Sequence, residues 1–164
     1  MERKLFIIRH GKSSWETVVD DIDRPLTERG VRNSYEMADR LQESGLLPKA
    51  LYSSPANRAL HTAIIMSRVW KTAERNMHIC RDLYLSDEDD IQDVISGLPD
   101  EITEVAIFGH NPGFTDFANR YLRPPVENIP TAGVVVLVFE MDSWTDMAAT
   151  QVKQSVFDYP KKNK

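Results

Sequence analysis

The chain has 164 residues, 41% of them hydrophobic, a length that builds one proper core but is short for two independent ones. Its formal net charge is -5, so the surface as a whole repels polyanions and we expect no nucleic-acid partner. Cys80 is the only cysteine, which excludes an internal disulfide and a cysteine-rich zinc site and fits a reducing compartment.

The apolar run near the N-terminus sets an expectation about location. It begins at Leu5 and stops at Arg9, which is too short for a signal-peptide core or a membrane span. We therefore expect a soluble, cytoplasmic protein with no membrane partner.

Short apolar runs alternate with helical patterns along the chain. We expect strands at 4–8, 49–53, 77–80, 104–108, 133–140 and 154–159, with 77–80 at an edge and the last two strands paired. Helices are expected after Thr27, Ser54, Ser86 and Asn111, each of which is expected to cap the helix that follows it. With right-handed crossovers, this alternation predicts an α/β fold, a three-layer α/β/α sandwich with a mostly parallel central sheet.

The sequence shows no repeat and no low-complexity linker, so residues 1–160 are expected to form a single domain. Only the lysine-rich segment 161–164 is expected to be frayed. The run at 133–140 fits a central strand or an edge strand that pairs with a second copy, so the oligomeric state stays open.

Three of the predicted strands are followed by polar residues with phosphate-binding chemistry. Arg9 and His10 follow the first strand, Arg58 comes shortly after the second, and His110 follows the strand at 104–108. Because the carboxyl ends of parallel strands lie on one edge of a sheet, these residues are expected to meet in a ligand crevice. Arginine matches phosphate oxygens two at a time, and free amides at helix N-termini add donors, so we expect the crevice to bind phosphate.

The two histidines indicate a reaction at the bound phosphate. A neutral imidazole is a nucleophile near neutral pH, so one histidine can attack phosphorus and form a phosphohistidine intermediate. The other can hydrogen-bond the equatorial oxygens as their charge is redistributed. Two arginines and one protonated histidine offset the roughly two negative charges of a phosphomonoester, so no metal and no other cofactor is expected. Singly, each residue also fits an ordinary turn or a solvated helix face, and the prediction depends on their coincidence at three strand ends.

At four places the sequence resembles the histidine phosphatase superfamily, also called the phosphoglycerate mutase-like fold, and within it the short SixA-type phosphohistidine phosphatases. The segment "RHGKSSW" at 9–15 resembles the nucleophile motif, and "DRPLTERG" at 23–30 resembles the segment that opens the first helix. The segment "SSPANRALHTA" at 53–63 is similar to the helix with the second arginine, and "GHNPG" at 109–113 is similar to the second-histidine turn. The four motifs occur in the family's order, and the resemblance covers nearly the whole chain.

The resemblance implies roles for the residues at the strand ends. Arg9 and Arg58 resemble the phosphate-binding arginines of the family. His10 resembles the nucleophile that becomes phosphorylated, and His110 resembles the second pocket histidine. The resemblance also implies catalysis without a metal or an organic cofactor.

Other residues near the motifs have further expected roles. Gly11 and Ser13, which closely follow the nucleophile, are expected to help bind the substrate, although an ordinary loop role fits Ser13 and its neighbour Ser14 equally well. Thr131 is expected to line the pocket from the side. Trp15 is expected to be a packing residue rather than a recognition surface.

Two positions depart from the family pattern. Many larger members carry an asparagine shortly after the first motif, where this chain has Glu16. Mutases and alkyl phosphatases of the family carry a mid-chain glutamate that protonates the leaving oxygen, and Leu85 stands at the corresponding position here. Asp82 and Asp87 remain candidate acids, although acids clustered at a helix start usually form a capped turn. Without a placed acid an alkoxide leaves slowly, whereas the imidazole of phosphohistidine leaves readily.

The sequence therefore predicts a phosphatase that acts through a covalent phosphohistidine on His10, with histidine-phosphorylated proteins as the favoured substrates. A small-molecule phosphomonoesterase, for a sugar phosphate or a nucleotide-derived monoester, is the main alternative. A phosphate-binding module without turnover is the third hypothesis. A preference for phosphoramidates over sugar phosphates separates the first two, and phosphate trapped on His10 excludes the third.

Overall fold

The computed structural model describes residues 1–161, in which a six-stranded sheet carries helices on both faces. The strands are β1 (Glu2–Arg9), β2 (Ala50–Ser53), β3 (Met77–Ile79), β4 (Glu104–Gly109), β5 (Val134–Glu140) and β6 (Val152–Asp158). The helices are α1 (Glu28–Glu43), α2 (Asn57–Trp70), α3 (Glu88–Ser96) and α4 (Gly113–Asn119). The predicted strands and their alternation with helices are confirmed.

The sheet has the strand order β3-β2-β4-β1-β5-β6, and the first four strands in this order run parallel. β5 pairs antiparallel with β1, and β6 pairs antiparallel with β5. This arrangement confirms the mostly parallel sheet, the pairing of the last two strands and the edge position of β3. Because β5 lies between two partners, it is a central strand and is not open to a second copy.

The alternation of side chains along the strands assigns each pair of helices to one face of the sheet. In β1, Leu5 and Ile7 lie in the core that contains α3 and α4, whereas Phe6 and Ile8 lie in the core that contains α1 and α2. The helices contribute Ile91, Ile95, Phe114 and Phe117 to the first core, and Met37, Leu41, Met66 and Trp70 to the second. A sheet buried on both faces in this way is the middle layer of the predicted three-layer sandwich.

The starts of α1 and α2 position two segments of the site described below. Thr27 caps α1 as predicted, because its hydroxyl accepts a hydrogen bond from the Gly30 amide at 3.0 Å. The predicted Ser54 cap of α2 is wrong, since the helix begins at Asn57 and Ser54 Oγ instead contacts the ring of His110. A residue that sequence reasoning assigns to a helix end is thus engaged with a site histidine.

The starts of α3 and α4 also differ from the prediction. Asp87, not Ser86, caps α3, because its carboxylate accepts from the Asp90 amide at 2.8 Å and its amide donates to the Asp90 carboxylate at 3.1 Å. The acids at this helix start therefore form a capped turn. Asn111 supports α4 from outside the helix, because its Oδ1 accepts from the Thr115 amide at 3.2 Å.

Among residues 1–161, no helix is both long enough and apolar enough to cross a membrane. The predicted frayed tail at 161–164 lies outside the described residues, except for Lys161.

Candidate active site

Two neighbouring parallel strands bring the two site histidines together. β1 and β4 pair in register, with Arg9 opposite Gly109, so His10 and His110 lie side by side where these strands end. Their ring centroids are 5.3 Å apart, and the two residues are 7% and 3% exposed. The structure therefore forms a buried histidine pair at one edge of the sheet.

Arg58 reaches the same place from the first turn of α2. It is 3% exposed, and its Nη2 atom lies 3.3 Å from Nδ1 of His110. The guanidinium also donates to the backbone oxygen of Asp21 at 2.7 Å and to the Asp21 carboxylate at 3.0 Å. Its Nε is buried and has no hydrogen-bond partner within the described part of the chain. Arg58 is thus a buried cation beside the histidine pair, not a solvated residue on a helix face.

A hydrogen bond of His10 determines which of its ring nitrogens is free to react. Nδ1 of His10 lies 2.6 Å from the backbone oxygen of Gly11. Because a carbonyl oxygen can only accept, Nδ1 carries the proton of the neutral ring and Nε2 keeps its lone pair. Nε2 is therefore the nitrogen that can act as a nucleophile.

The ring of His110 is held in the opposite tautomer. Arg58 can only donate, so Nδ1 of His110 accepts, and Nε2 of His110 donates to Ser54 Oγ at 2.8 Å. Ser54 Oγ also accepts from the Ala56 amide at 3.1 Å. Contacts at both nitrogens therefore fix the orientation of this ring.

Both imidazoles are neutral at neutral pH. Burial, with a smaller contribution from the charges of Arg58 and Arg9, lowers the pKa of His10 to about 4, against a raising effect of the Gly11 carbonyl. Burial lowers the pKa of His110 to about 3, with Arg58 as the next cause. The protonated histidine expected from the sequence is therefore not present in this structure. A phosphate dianion placed against His110 would raise its pKa again, because an opposite charge favours the protonated ring.

The histidines and arginines line a cavity of about 220 Å³, which we call the reaction pocket. Arg9 is fixed at its wall, because Nη1 donates to the backbone oxygen of Ile129 at 2.9 Å. Thr131 lines the reaction pocket as expected, and the Ala132 amide holds the backbone oxygen of His10 at 3.0 Å. The lining residues are Arg9, His10, Lys12, Ser13, Trp15, Arg24, Arg58, Leu85, His110, Asn111 and Thr131.

Residues 12–24, between β1 and α1, form one wall of the reaction pocket, and we call this segment the rim loop. Within it, Arg24 is 7% exposed and donates to Ser13 Oγ at 2.7 Å. The ring of Trp15 lies on Arg24, with 3.5 Å between the guanidinium carbon and the ring centroid. The prediction that Trp15 is a packing residue is wrong, since it is 76% exposed at the mouth of the pocket. Sequence reasoning missed Arg24, although it lies inside the "DRPLTERG" motif.

Asp21, in the rim loop, connects this loop to Arg58 and Tyr84. Its carboxylate accepts from the Tyr84 hydroxyl at 2.7 Å, from Arg58 at 3.0 Å and from Nε of Arg24 at 3.2 Å. These hydrogen bonds, that of Tyr84 first, hold the pKa of Asp21 at about 2. Asp21 therefore stays ionised and is a poor proton donor. Sequence reasoning missed Asp21 and Tyr84, and no local signal separates Asp21 from its acidic neighbours.

Gly11 has a packing role instead of the expected contact with substrate. Its amide donates to Thr62 Oγ1 at 3.0 Å, so this amide is not free to bind a phosphate. A Cβ at Gly11 would lie 2.8 Å from the backbone oxygen of Gly30 in α1, and only glycine allows this close approach. Ser14 Oγ accepts from the Glu16 amide at 3.0 Å, which is a loop role. Of the two serines, only the first lines the reaction pocket.

Within residues 1–161, no carboxylic acid lines the reaction pocket. Leu85 lines it and is 61% exposed, at the position where the family resemblance expects a glutamate. Asp87 is engaged in the cap of α3, and Asp82 does not line the cavity. Neither candidate acid is therefore in place to protonate a leaving group. Within residues 1–161 there is also no group of three or more His, Cys, Asp or Glu residues arranged to hold a metal ion.

Comparisons with known proteins agree with the motifs. Residues 5–84 match the histidine phosphatase superfamily (branch 1). An uncharacterized chloroplastic protein of Arabidopsis thaliana is 28% identical over 159 residues, which span 91% of this chain and 72% of that protein. A 2,3-bisphosphoglycerate-dependent phosphoglycerate mutase of Cutibacterium acnes is 31% identical over 90 residues. That match spans 46% of this chain and only 36% of the mutase.

A solved structure extends the likeness to nearly the whole chain. A protein of Nakamurella multipartitia, described as a SixA phosphohistidine phosphatase, matches with a TM-score of 0.82 and covers 98% of both chains. At 20% sequence identity this likeness establishes the fold. The predicted phosphoglycerate mutase-like α/β architecture is confirmed.

Proposed function

We propose that this chain, whose residues 5–84 match the histidine phosphatase superfamily (branch 1), is a metal-independent phosphatase that acts through a covalent phosphohistidine on His10. One observation carries the proposal, the unprotonated Nε2 of His10 in a pocket that Arg9 and Arg58 also line. A neutral imidazole with a free lone pair can attack phosphorus, whereas an imidazolium cannot. The lowered pKa of His10 keeps the ring in this reactive form.

The first step transfers the phosphoryl group to His10. Arg9 and Arg58 bind the phosphoryl oxygens, and Nε2 of His10 attacks phosphorus while the bond to the leaving group breaks. The electron pair of that bond goes to the leaving atom. The negative charge on the oxygens raises the pKa of His110, so Nδ1 of this ring can take up a proton and donate a hydrogen bond to them once Arg58 turns from Nδ1 to the phosphoryl group.

The second step releases phosphate. A water molecule attacks the phosphorus of phosphohistidine, the phosphorus–nitrogen bond breaks, and its electron pair returns to Nε2 of His10. The proton lost by the water goes to the phosphate or to solvent. Arg9, Lys12, Arg24 and Arg58 all line the pocket, so side chains alone can offset the roughly two negative charges of the phosphoryl group.

Histidine-phosphorylated proteins are the substrate class that we favour. No carboxylic acid of the described residues lines the reaction pocket, so an alkoxide would leave without a carboxylic proton donor, whereas an imidazole nitrogen is protonated by solvent. The exposed side chains of Trp15 and Leu85 give the mouth two apolar surfaces that suit an imidazole ring. The protein histidine phosphatase SixA, solved in complex with tungstate, has the same fold with a TM-score of 0.78, which agrees with this choice.

A small-molecule phosphomonoesterase is the second candidate function, and one observation favours it. A cavity lined by cations continues from the reaction pocket, and it suits a compact substrate with a second anionic group.

The test compares phosphate release from a histidine-phosphorylated carrier protein and from a simple alkyl phosphate at equal concentrations. We expect fast release from the carrier alone, and a loss on the order of 10³-fold or more in His10→Ala. His78→Ala is the matched control, because the His78 ring stacks on Tyr52 at the β3 edge and is expected to leave the rate unchanged. Fast release from the alkyl phosphate would contradict the substrate class, and release that survives His10→Ala would contradict the mechanism.

A further inference from the structure

A second cavity, of about 390 Å³, continues from the reaction pocket. The two cavities have Arg9, Lys12 and Thr131 in common as lining residues. The second cavity lies between α1 and the segment after β6, and a third cavity continues along α1 through Arg29 and Lys161. We call the second and third cavities together the α1 groove.

Among the described residues, the α1 groove is lined by cations and by no carboxylate. Arg29, Arg32 and Lys161 line it together with Arg9 and Lys12. None of the five forms an ion pair with a carboxylate of residues 1–161. Their positive charges therefore face a shared concave surface without compensation.

The grouping of these cations contrasts with the formal net charge of -5 of the chain. Arg40 contacts Glu36 and Asp158, and Arg120 contacts two carboxylates of α3, whereas the groove cations have no such partner among residues 1–161. Cations that are grouped without counter-charges repel one another, and a bound anion relieves that repulsion. The α1 groove therefore has the electrostatic character of an anion site.

Asn33 gives a second, independent indication. It lines both cavities of the α1 groove and is 8% exposed. Its side-chain amide forms no hydrogen bond with any residue in the described range. Its polar atoms are not among the fully buried unpartnered atoms of the described residues, so the amide is accessible from the groove. An anion in the groove would accept a hydrogen bond from this amide.

We propose that the α1 groove is a second anion-binding site, which holds a phosphate or carboxylate group that the substrate carries beyond its reacting phosphoryl group. The identity of the reacting group rests on the proposed function. Because Arg9 and Lys12 line both the reaction pocket and the groove, one substrate molecule can place an anion on each side of them. The second anion comes either from an acidic residue beside phosphohistidine or from a second phosphate of a small molecule.

The first measurement does not depend on turnover. Binding of inorganic tripolyphosphate, measured by calorimetry, is expected to weaken about tenfold in Arg29→Gln/Arg32→Gln, which removes two groove cations. Arg68→Gln/Arg75→Gln is the matched control, because it removes the same charge from exposed positions outside the groove. Lys161→Gln repeats the test without a change in α1. Binding that is equal in the wild type and both groove variants would overturn the second site.

Turnover then distinguishes the two sources of the anion. One substrate pair is a phosphohistidine peptide flanked by glutamates and the same peptide with glutamines. The other pair is a sugar bisphosphate and the corresponding monophosphate. In Arg29→Gln/Arg32→Gln we expect KM to rise about tenfold for the more anionic member of one pair, with kcat unchanged. The pair that shows this difference identifies the source.

The outcomes for the groove and for the proposed function are separable. If the groove variant treats both members of each pair alike, the second site is overturned, while wild-type turnover of the phosphohistidine peptide supports the proposed function. If the wild type turns over no substrate, the proposed function fails, and tripolyphosphate binding alone decides whether the groove is an anion site.

Discussion

The reaction pocket has a floor, formed by His10, His110 and Arg58, and a rim that includes Trp15 and Leu85. The two are built differently. On the floor, His10, His110 and Arg58 are at most 7% exposed, and hydrogen bonds fix the orientation of each. At the rim, Trp15 and Leu85 are 76% and 61% exposed, and both come from connecting segments. This difference indicates that the sheet edge fixes the chemistry and the loops select the substrate. Changes on the floor should therefore slow every substrate, and changes at the rim should alter the choice among substrates.

The largest effect is expected from a change on the floor. Arg58→Gln removes a buried cation that binds the phosphoryl group, so kcat/KM should fall about 10²- to 10³-fold for every substrate. Arg58→Lys should restore little of it, because lysine lacks the planar fork of donors. Arg68→Gln, which changes an exposed arginine of the same helix, is the control. A loss confined to one substrate class would mean that the floor also selects substrates, and would contradict the division of roles between floor and rim.

A gain of activity is expected from a change at the rim. Leu85→Glu introduces a carboxylic acid into a pocket whose lining has none, so hydrolysis of an alkyl phosphate should rise at least about tenfold. Hydrolysis of phosphohistidine should change little, because its leaving group does not depend on a protein acid. Leu85→Gln keeps the shape without the proton and serves as the control. An equal gain in Leu85→Gln would show that proton donation is not the cause.

The protonation of the floor histidines gives a third test. With pKa values of about 4 and 3, the rings of His10 and His110 should keep constant NMR shifts as the pH falls from about 8 to about 5. In the unfolded chain both rings take up protons near pH 6.5, so the free energy of unfolding should fall as the pH drops from about 6.5 towards 4. Ring shifts that titrate near pH 6.5 would contradict the neutral, buried pair.

The smallest effect is expected where rim and floor meet. Asp21→Asn removes a carboxylate that occupies Arg58 and Arg24 and repels a phosphate, so inhibition by orthophosphate should tighten about two- to fivefold. Asp20→Asn changes the same charge at the neighbouring position and is expected to leave the inhibition constant unaltered. Weaker inhibition in Asp21→Asn would instead mean that Asp21 positions Arg58 for phosphate.

The sheet could be predicted from the sequence, whereas the helix starts could only partly be predicted. Runs such as 5–8 are apolar on both faces, and a short run of this kind is typical of a strand that is buried on both sides. Ser86 and Asp87 are both good caps, so their type does not decide between them. Packing decides which of the two residues caps the helix. Gly113 lies so close to the backbone of Ser86 that a Cβ at position 113 would be 2.0 Å from the Ser86 oxygen.

The floor of the site could be predicted once the parallel strands of the sheet were predicted. His10 and His110 follow strand ends, and parallel pairing brings such ends together whatever the connecting segments do. Arg24 and Asp21 lie in a loop, and their positions depend on contacts with Trp15 and Tyr84 that no periodic pattern encodes. Parallel strand ends therefore predict the positions of the histidines but not those of the rim residues.

The most direct test of the covalent mechanism is to identify the phosphorylated residue. The protein is mixed with a histidine-phosphorylated carrier that bears labelled phosphate, quenched in alkali to preserve phosphohistidine, separated from the carrier, digested and analysed by mass spectrometry. We expect labelled phosphate on His10, and none in His10→Ala although that variant still binds phosphate. Turnover by the wild type without label on His10, or with label on another residue, would contradict the mechanism.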